Sequence, residues 1–431
     1  MGIFDFFQKK TITDFSQVDG GCGFLAGLVD DFGFDINPLQ AYSIFNKSSE
    51  LEDAISRIAE PISSLVLGLA INRTDIDYKA DIIKLLNNPG EGMTKSQFWT
   101  EISENFSLTN EIFIVGRGNV TNAPLALCPI RPYDVMVNYS ETDGFPTEII
   151  TNCNKDRRTY YRKETDGNLR FIDNNGLNEI FYIIGNINTN DNWRGRSKLN
   201  QLCYDVLNNK EGKRHNLSLI KNGLRTTGIL SPKQNGTERT NWDGSKVKEI
   251  ENHVRKFNQG AGNAGNVLII GTPTEINGIT QNNKDMDFVE LLRESKEAIY
   301  NSYKIPLALV LPDSMTLDNY KESIRALYDF AVIPVFNKIA DGLIFNLSAR
   351  FNLPEGSKIV FDEMAIRALR PVLVENMKIA NETGLISVDE GRKIGGYEPT
   401  LGGNVILVDA NKLPLSSVST GLIDNPNASG E

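Results

Sequence analysis

Between Glu111 and Ile187 the apolar residues stop recurring at helical intervals and gather into short β-prone runs. These are Ile112-Phe113-Ile114-Val115, Asp134-Val135-Met136-Val137, Thr147-Glu148-Ile149-Ile150, Thr159-Tyr160-Tyr161 and Ile180-Phe181-Tyr182-Ile183-Ile184. Turn signals separate them, among them Asp143-Gly144, Asp166-Gly167 and Asn175-Gly176. Short strands joined by tight turns pair with their sequence neighbours, so the stretch predicts one antiparallel meander. Helical patterning on both sides of it predicts helices packed on that sheet, an α+β fold.

The flanks read as follows. Helical spacing runs from about Glu50 to Ala70, with Ile62–Leu69 buried, and again from Thr94 to Phe106, where Phe98, Trp99, Ile102 and Phe106 share one side. Lys198 to Asn222 is helical, led by Leu199, Leu202, Cys203, Val206 and Leu207, and Asn222-Gly223 stops it. A strand at Gly228–Leu230, a helix from about Gly244 to Phe257, a Gly-rich loop and a strand at Val267–Ile270 follow. The best-patterned helix spans Asp285 to Tyr303, with Phe288, Leu291, Leu292, Ser295, Ala298 and Ile299 on one face. An apolar loop then leads to a long helix from about Asn319 to Phe351, which Pro334 should kink. Lys358–Phe361 reads as a strand, and two helices end near Gly384 and Gly395. Residues 1–60 are acidic and Gly-spotted, and the Ser-, Asn- and Gly-rich tail after Leu413 predicts disorder.

Chemistry is hard to find. A chain of 431 residues predicts two or three structural units, and 40% hydrophobic residues suffice for a sizeable core. Residues 1–10 lack the basic start and apolar core of a secretory signal, and Phe6 stands where myristoylation needs Ser or Thr. The apolar run Ile62–Ile71 is about half a bilayer span, so no membrane partner is expected. A reducing cytosol then makes Cys22, Cys128, Cys153 and Cys203 free core thiols. Neither His215 nor His253 has a Cys or His at metal-ligand spacing. Gly260-Ala261-Gly262-Asn263-Ala264-Gly265 fits G-x-G-x-x-G, but a helix precedes it and a strand follows, the reverse of what a dinucleotide needs. Phosphate-loop and nucleophile-elbow motifs are missing, and the pairs Asp285/Asp287 and Asp30/Asp31 read as helix starts and solvated turns. The expectation is no catalytic residue, no metal and no cofactor. A metal-dependent nuclease or other DNA-processing enzyme is the rival reading.

Charge is unevenly placed. From Arg194 to Lys256 there are 14 Lys and Arg against 6 Asp and Glu, a net of +8 that leaves −18 on the rest of a chain whose total is −10. Either this segment meets an acidic partner in a body that repels one, or it is the solvated face of long exposed helices.

One ordered set of motifs goes further. Asn192-Trp193-Arg194-Gly195-Arg196-Ser197-Lys198-Leu199 leads into a helix that exits through Asn222-Gly223-Leu224-Arg225-Thr226-Thr227-Gly228-Ile229-Leu230. Gly262-Asn263-Ala264-Gly265, the Asp285–Tyr303 helix entering Lys304-Ile305-Pro306-Leu307, the helix around Pro334 and Gly384-Leu385-Ile386-Ser387-Val388-Asp389-Glu390-Gly391-Arg392 follow in order. Across roughly residues 190–410 this resembles the portal protein family of tailed bacteriophages, although Lys304–Leu307 departs from the commoner Gly-Val-Pro-Pro.

The resemblance implies a portal fold with an α+β wing, a two-helix stem, a small α/β clip, a long kinked helix and a helical crown. Residues 1–197 would be most of the wing, 198–224 and 285–303 the stem, 225–284 the clip and 304–318 the tunnel loop. The wing would resume over 319–364, 365–410 would be the crown, and 411–431 a disordered tail. It also implies a homo-oligomeric ring, usually a dodecamer, at one capsid vertex of the virion, assembled in the host cytoplasm. Double-stranded DNA would pass through it, and the large terminase subunit, a head–tail adaptor and the major capsid or scaffold protein would be its partners. On this footing Leu307, Leu309, Val310, Leu311, Asp313, Ser314 and Met315 are candidates to line the channel, with burial as core the alternative reading of the apolar ones. Arg239, Lys246, Lys248, Arg255 and Lys256 are candidates for the clip surface that meets terminase or adaptor. Another capsid or tail structural protein is the second rival.

Overall fold

The β-prone stretch forms one antiparallel sheet, and helices on either side of it in sequence cover one face. The structure, a computed structural model, describes residues 36–71, 76–90, 92–118, 123–140, 142, 144–153, 156–165, 168–188, 193–221, 228–232, 243–245, 247–249, 252, 274–278, 284–311, 316–394 and 397–406. The first described elements are α1 (Pro38–Phe45), α2 (Ser49–Ser63), β1 (Leu67–Ala70), β2 (Ile76–Asp77), α3 (Asp81–Asn87) and α4 (Lys95–Thr109). Strands β3 (Glu111–Arg117), β4 (Ala126–Ile130), β5 (Val135–Tyr139), β6 (Pro146–Cys153), β7 (Asp156–Thr165), β8 (Asn168–Asp173) and β9 (Asn178–Ile184) form the meander. After them come α5 (Leu199–Lys221), β10 (Gly228–Pro232), β11 (Thr274–Gly278), α6 (Lys284–Ser302), α7 (Leu317–Leu327), α8 (Ile333–Leu347), β12 (Lys358–Phe361), α9 (Arg370–Glu382) and α10 (Val388–Ile394).

The chain divides into two units. The larger draws on Ser49–Ile187, Trp193–Gly195 and Ile299–Glu431, the smaller on Met1–Ser48, Asn188–Asn192 and Arg196–Ala298. In the larger unit the seven strands run in the order β4-β3-β9-β8-β7-β6-β5. Alternate residues of every strand meet in one cluster, including Phe113 and Val115 of β3, Ile130 of β4, Val137 of β5, Ile149 of β6, Tyr160 of β7, Phe171 of β8 and Ile180 of β9. Because both edge strands contribute to it, the sheet must curl round its own core. Strand β3 is buried on both faces, which is why its run is continuously apolar. Its second face belongs to the layer of α4 and α8. There Trp99 packs on Phe336 at 5.7 Å between ring centres, and Phe336 meets Phe361 of β12 edge-on at 5.2 Å. Strand β12 pairs antiparallel with β1, Leu67 opposite Phe361.

Local chemistry sets the element ends. Thr94 and Gln97 form a capping box at the start of α4, and Asn110, left-handed at φ 57°, closes its end by donating its N–H to the Phe106 carbonyl at 2.8 Å. Two strands of the meander escaped the pattern. β4 carries Pro129, tolerated because β4 is an edge strand and needs no second set of donors. β8 is short and half polar.

Two expectations are corrected. The helix expected over Glu50–Ala70 ends at Ser63, and Leu67–Ala70 is a buried strand, since an apolar run of that length suits β1 as well as a helix. The long helix ends at Leu347 rather than Phe351, and it is interrupted before Pro334, not at it. Tyr328–Val332 is a π-turn in which the Ile333 N–H reaches the Tyr328 carbonyl, five residues back. Proline has no N–H and its ring collides with the carbonyl four residues earlier, so the wider turn relieves that conflict. The residues Asn319–Leu347 are long and apolar enough to cross a membrane by length and composition. In this structure Phe336, Ile339, Ala340, Leu343 and Leu347 are buried in the protein instead.

The helices over 198–222 and 285–303 and the strands at Gly228 and Lys358 lie where expected, as α5, α6, β10 and β12. Cys203 is buried and Cys128 half-buried, and neither is in a disulfide. The acidic start up to residue 35, Cys22, the Gly260–Gly265 motif, the strand at Val267–Ile270 and the tail from residue 407 lie outside the described residues.

Gly342 of α8 sits directly on Ile183 of β9, and a Cβ there would collide with that side chain. Ala at this position gains about 1 kcal/mol of helix propensity but overpacks a contact worth roughly 1–3 kcal/mol. Gly342→Ala should therefore lower the urea midpoint, and adding Ile183→Ala should recover part of the loss relative to the single Ile183→Ala variant.

Candidate functional site

The motif Trp193-Arg194-Gly195 folds back onto the sheet of the larger unit. Glu111 opens β3 with its side chain only 1% exposed, so its charge needs a partner. Arg194 supplies it. Its Nη2 lies 2.6 Å from Glu111 Oε1 and its Nε 3.0 Å from Oε2. The same guanidinium donates to the Val135 and Pro132 carbonyls, each at 3.1 Å. Its Cζ lies 5.7 Å from the Phe113 ring centre, and Phe113 stacks on Tyr182 at 4.3 Å. The Tyr182 hydroxyl shares its one hydrogen between Glu111 Oε2 and the Trp193 carbonyl. Burial, then the neighbouring Glu111 charge, raises the Tyr182 hydroxyl well above its ordinary range. Burial works against the charge on Arg194, but Glu111 outweighs it and the guanidinium holds its proton more tightly than usual. Only Gly fits at 195. Its N–H donates to Glu111 Oε2 at 2.8 Å, and a Cβ would strike the Thr109 and Asn110 backbone.

This changes the charge reading. Arg194 was counted in the +8 segment, yet its charge is spent on Glu111 inside the sheet unit. The signal for it was legible: a carboxylate heading the apolar run Ile112–Val115 and an Arg flanked by Trp and Gly are both unusual unless paired.

The apolar loop begins where α6 ends. Tyr300, Tyr303 and Ile305 are buried, and the Ile305 N–H donates to the Tyr300 carbonyl at 3.0 Å across left-handed Lys304, φ 61°. The Tyr300 hydroxyl donates to Asp53 Oδ2 of α2 at 2.6 Å, and Arg57 Nε reaches the same oxygen at 2.8 Å. Past Pro306 a 3₁₀ turn, Leu307–Leu309, projects the chain, and Leu307, Leu309, Val310 and Leu311 are each half-buried. Thr316 Oγ1 then caps α7 by accepting the Asn319 N–H at 3.3 Å. Asp313, Ser314 and Met315 lie outside the described residues. The anchors Tyr300, Tyr303 and Ile305 were not singled out from sequence.

In the smaller unit β10 and β11 form an antiparallel ribbon, Leu230 opposite Ile276. Of the clip candidates only Lys248 is described, and it is exposed. Arg239, Lys246, Arg255 and Lys256 lie outside the described residues. Among the described residues no three His, Cys, Asp or Glu side chains gather as a metal site.

Two measurements test these anchors. Arg194→Met leaves Glu111 charged and unpaired, a loss of about 3–5 kcal/mol. Adding Glu111→Gln should recover part of it, and chemical denaturation of the double-mutant cycle reads the coupling. Burial first, then the hydrogen bond to Asp53, raises Tyr300 above its ordinary value of 10.0. A raised acid contributes stability that is complete below the unfolded value and falls as pH climbs past it. Wild type should therefore lose thermal stability above about pH 10 more steeply than Tyr300→Phe.

Comparison with known proteins bears on the same residues. A family model described as phage portal protein matches residues 49–396. An uncharacterized protein of Rickettsia bellii (strain RML369-C) is 23% identical over 316 residues, 72% of this chain and 76% of its own length. Among solved structures, the neck of a native gene transfer agent particle computed with C12 symmetry has a TM-score of 0.57 at 18% identity, covering 87% of this chain and 99% of that one. An HK97 family phage portal protein from Corynebacterium diphtheriae has a TM-score of 0.52 at 11% identity, covering 75% and 93%. These structures share the α+β portal fold. One family pattern thus runs from the first residue of α2, through the Glu111–Arg194 pair and the loop after α6, to just past α10, and the chain belongs to the phage portal protein family.

Proposed function

We propose that copies of this chain, twelve by the resemblance, close into a ring at one vertex of a phage-like capsid. The ring is the channel through which double-stranded DNA enters and leaves, and the platform on which the large terminase subunit and then a head–tail adaptor dock. The family match over residues 49–396 carries this reading. Phage portal proteins are structural components rather than enzymes, and so is this chain. The likeness to a neck with C12 symmetry supports the ring and its place in the particle.

The physics of the bore favours sliding over gripping. DNA carries one negative charge per about 1.7 Å, so a strongly basic channel would trap it. The described part of the loop after α6 presents Leu307, Leu309, Val310 and Leu311 and no cation beyond Lys304 at its base. Leu309, Val310, Leu311 and Met315 would face the axis with Asp313-Ser314 at the tip. The separation of 196–298 as part of its own unit supports reading α5, the β10–β11 ribbon and most of α6 as stem and clip. The clip cations Arg239, Lys246, Lys248, Arg255 and Lys256 would meet terminase or adaptor. Capsid or scaffold protein would surround the ring, and assembly would precede it in the host cytoplasm.

Negative-stain imaging of the purified chain should show closed rings with one central hole. A compact monomer with Mg²⁺-dependent activity, or shells or tubes, would replace this reading with one of its rivals. Asp313→Lys should slow or stall DNA packaging in an in vitro assay, and replacing the five clip cations with Ala should weaken terminase capture by the ring. Normal packaging and capture would remove those residue assignments.

A further inference from the structure

A cavity of about 260 Å³ lies within the larger unit, and none of its walls belongs to the loop after α6. Residues 64–66, between α2 and β1, form one wall. Ile324 and Tyr328, where α7 meets the π-turn, form a second, and residues 365–368, ahead of α9, a third. The first and third walls are tied together, because the Asp362 N–H donates to the Val66 carbonyl at 2.8 Å. The second stands on the widened turn, a feature that recurs at functional sites.

The lining is unusual for its charge. No Asp or Glu contributes to it, in a chain that has 55 of them against 45 Lys and Arg. Its cation is Arg367, which is exposed and has no ion pair or side-chain hydrogen bond among the described residues. Lys95, the first residue of α4, stands behind the wall and donates its Nζ to the Leu65 carbonyl, again with no carboxylate partner. Burial lowers the Lys95 ammonium below its ordinary range, and no neighbouring charge offsets that. The Tyr328 hydroxyl makes no hydrogen bond among the described residues either, and burial raises it. Nor do the Arg367 and Ala368 N–H groups donate to any carbonyl among them. Leu65, Val66, Ile324 and Ile366 make the remaining surface aliphatic.

Donors without acceptors beside an aliphatic wall specify a ligand of two parts. An oxyanion suits the donors, since a hydrogen bond to an ionised acceptor is roughly twice as strong as one between neutral groups. A bare phosphate would leave the aliphatic wall unused, whereas each methylene buried there adds about fourfold in affinity. One lining cation matches one negative charge. Size agrees, because a cavity of about 150 Å³ already holds a six-carbon ring. We propose that this cavity binds a small monocarboxylate with an aliphatic stem, Arg367 serving as its counter-ion and Tyr328 as a hydroxyl donor. The site lies on one chain and does not depend on the ring.

Saturation-transfer NMR on the full chain tests this with five probes: hexanoate, N-acetylleucine, acetate, hexan-1-ol and inorganic phosphate. Hexanoate or N-acetylleucine should bind saturably, at least tenfold tighter than the other three. The tighter of the two tells whether the natural carboxylate is a free acid or the end of a peptide. Arg367→Gln should weaken that probe about tenfold, the worth of one hydrogen bond to a charged group. Its melting temperature without probe should stay unchanged, because Arg367 is exposed and unpaired. Tyr328→Phe should weaken binding about threefold. Absence of saturable binding would overturn the proposal. So would hexan-1-ol or phosphate binding as tightly as hexanoate, or binding that neither substitution weakens.

Discussion

A carboxylate and a guanidinium, both withdrawn from water, hold the start of β3 to a segment more than eighty residues later. Glu111 could not sit at the head of β3 without Arg194, and Arg194 could not enter the sheet without Glu111 and two backbone carbonyls to accept its hydrogen bonds. The pair also explains its neighbours. Gly195 has no side chain because the Asn110 backbone occupies that space, and Asn110 is left-handed because α4 must end there for β3 to begin. Breaking a buried ion pair costs more than the pair is worth against an apolar replacement, so its role is to fix register and position rather than to maximise stability.

A second buried pair does the same at the far end of the sheet. Arg350, in the turn after α8, reaches Glu179 of β9, with Arg170 of β8 4.0 Å from the same carboxylate. Together with the packing of Gly342 on Ile183, it sets α8 on the sheet. The loop of the proposed channel hangs between elements tied in this way: α6 ends in the Tyr300–Asp53 contact and α7 leads to α8.

Period and turn chemistry revealed the antiparallel sheet, the helices α5 and α6 and the order of the whole, because those signals are local. Strand β4 stayed hidden because Pro129 argues against a strand until its edge position is known. The end of α2 stayed hidden because the apolar run from Leu65 to Leu69 that follows it has no period to read. The pairings of Glu111 with Arg194 and Tyr300 with Asp53 join positions 83 and 247 residues apart. Burial at those distances is a property of the packed chain and leaves only a faint trace in sequence, an ionisable or polar residue inside an apolar context. The loop was legible as apolar, but which of its residues anchor and which project was not.

The π-turn at Tyr328–Val332 holds one more residue than a regular helical turn, and Pro334 is the reason it is tolerated. The two features are therefore coupled as an insertion and its permit. Deleting one residue there would restore a continuous helix only if proline were also lost, and would turn everything on one side by about 100° relative to the other. Neither change is accessible as a single step without disturbing the buried stripe of α8. The length of this helix is thus held constant by one imino acid.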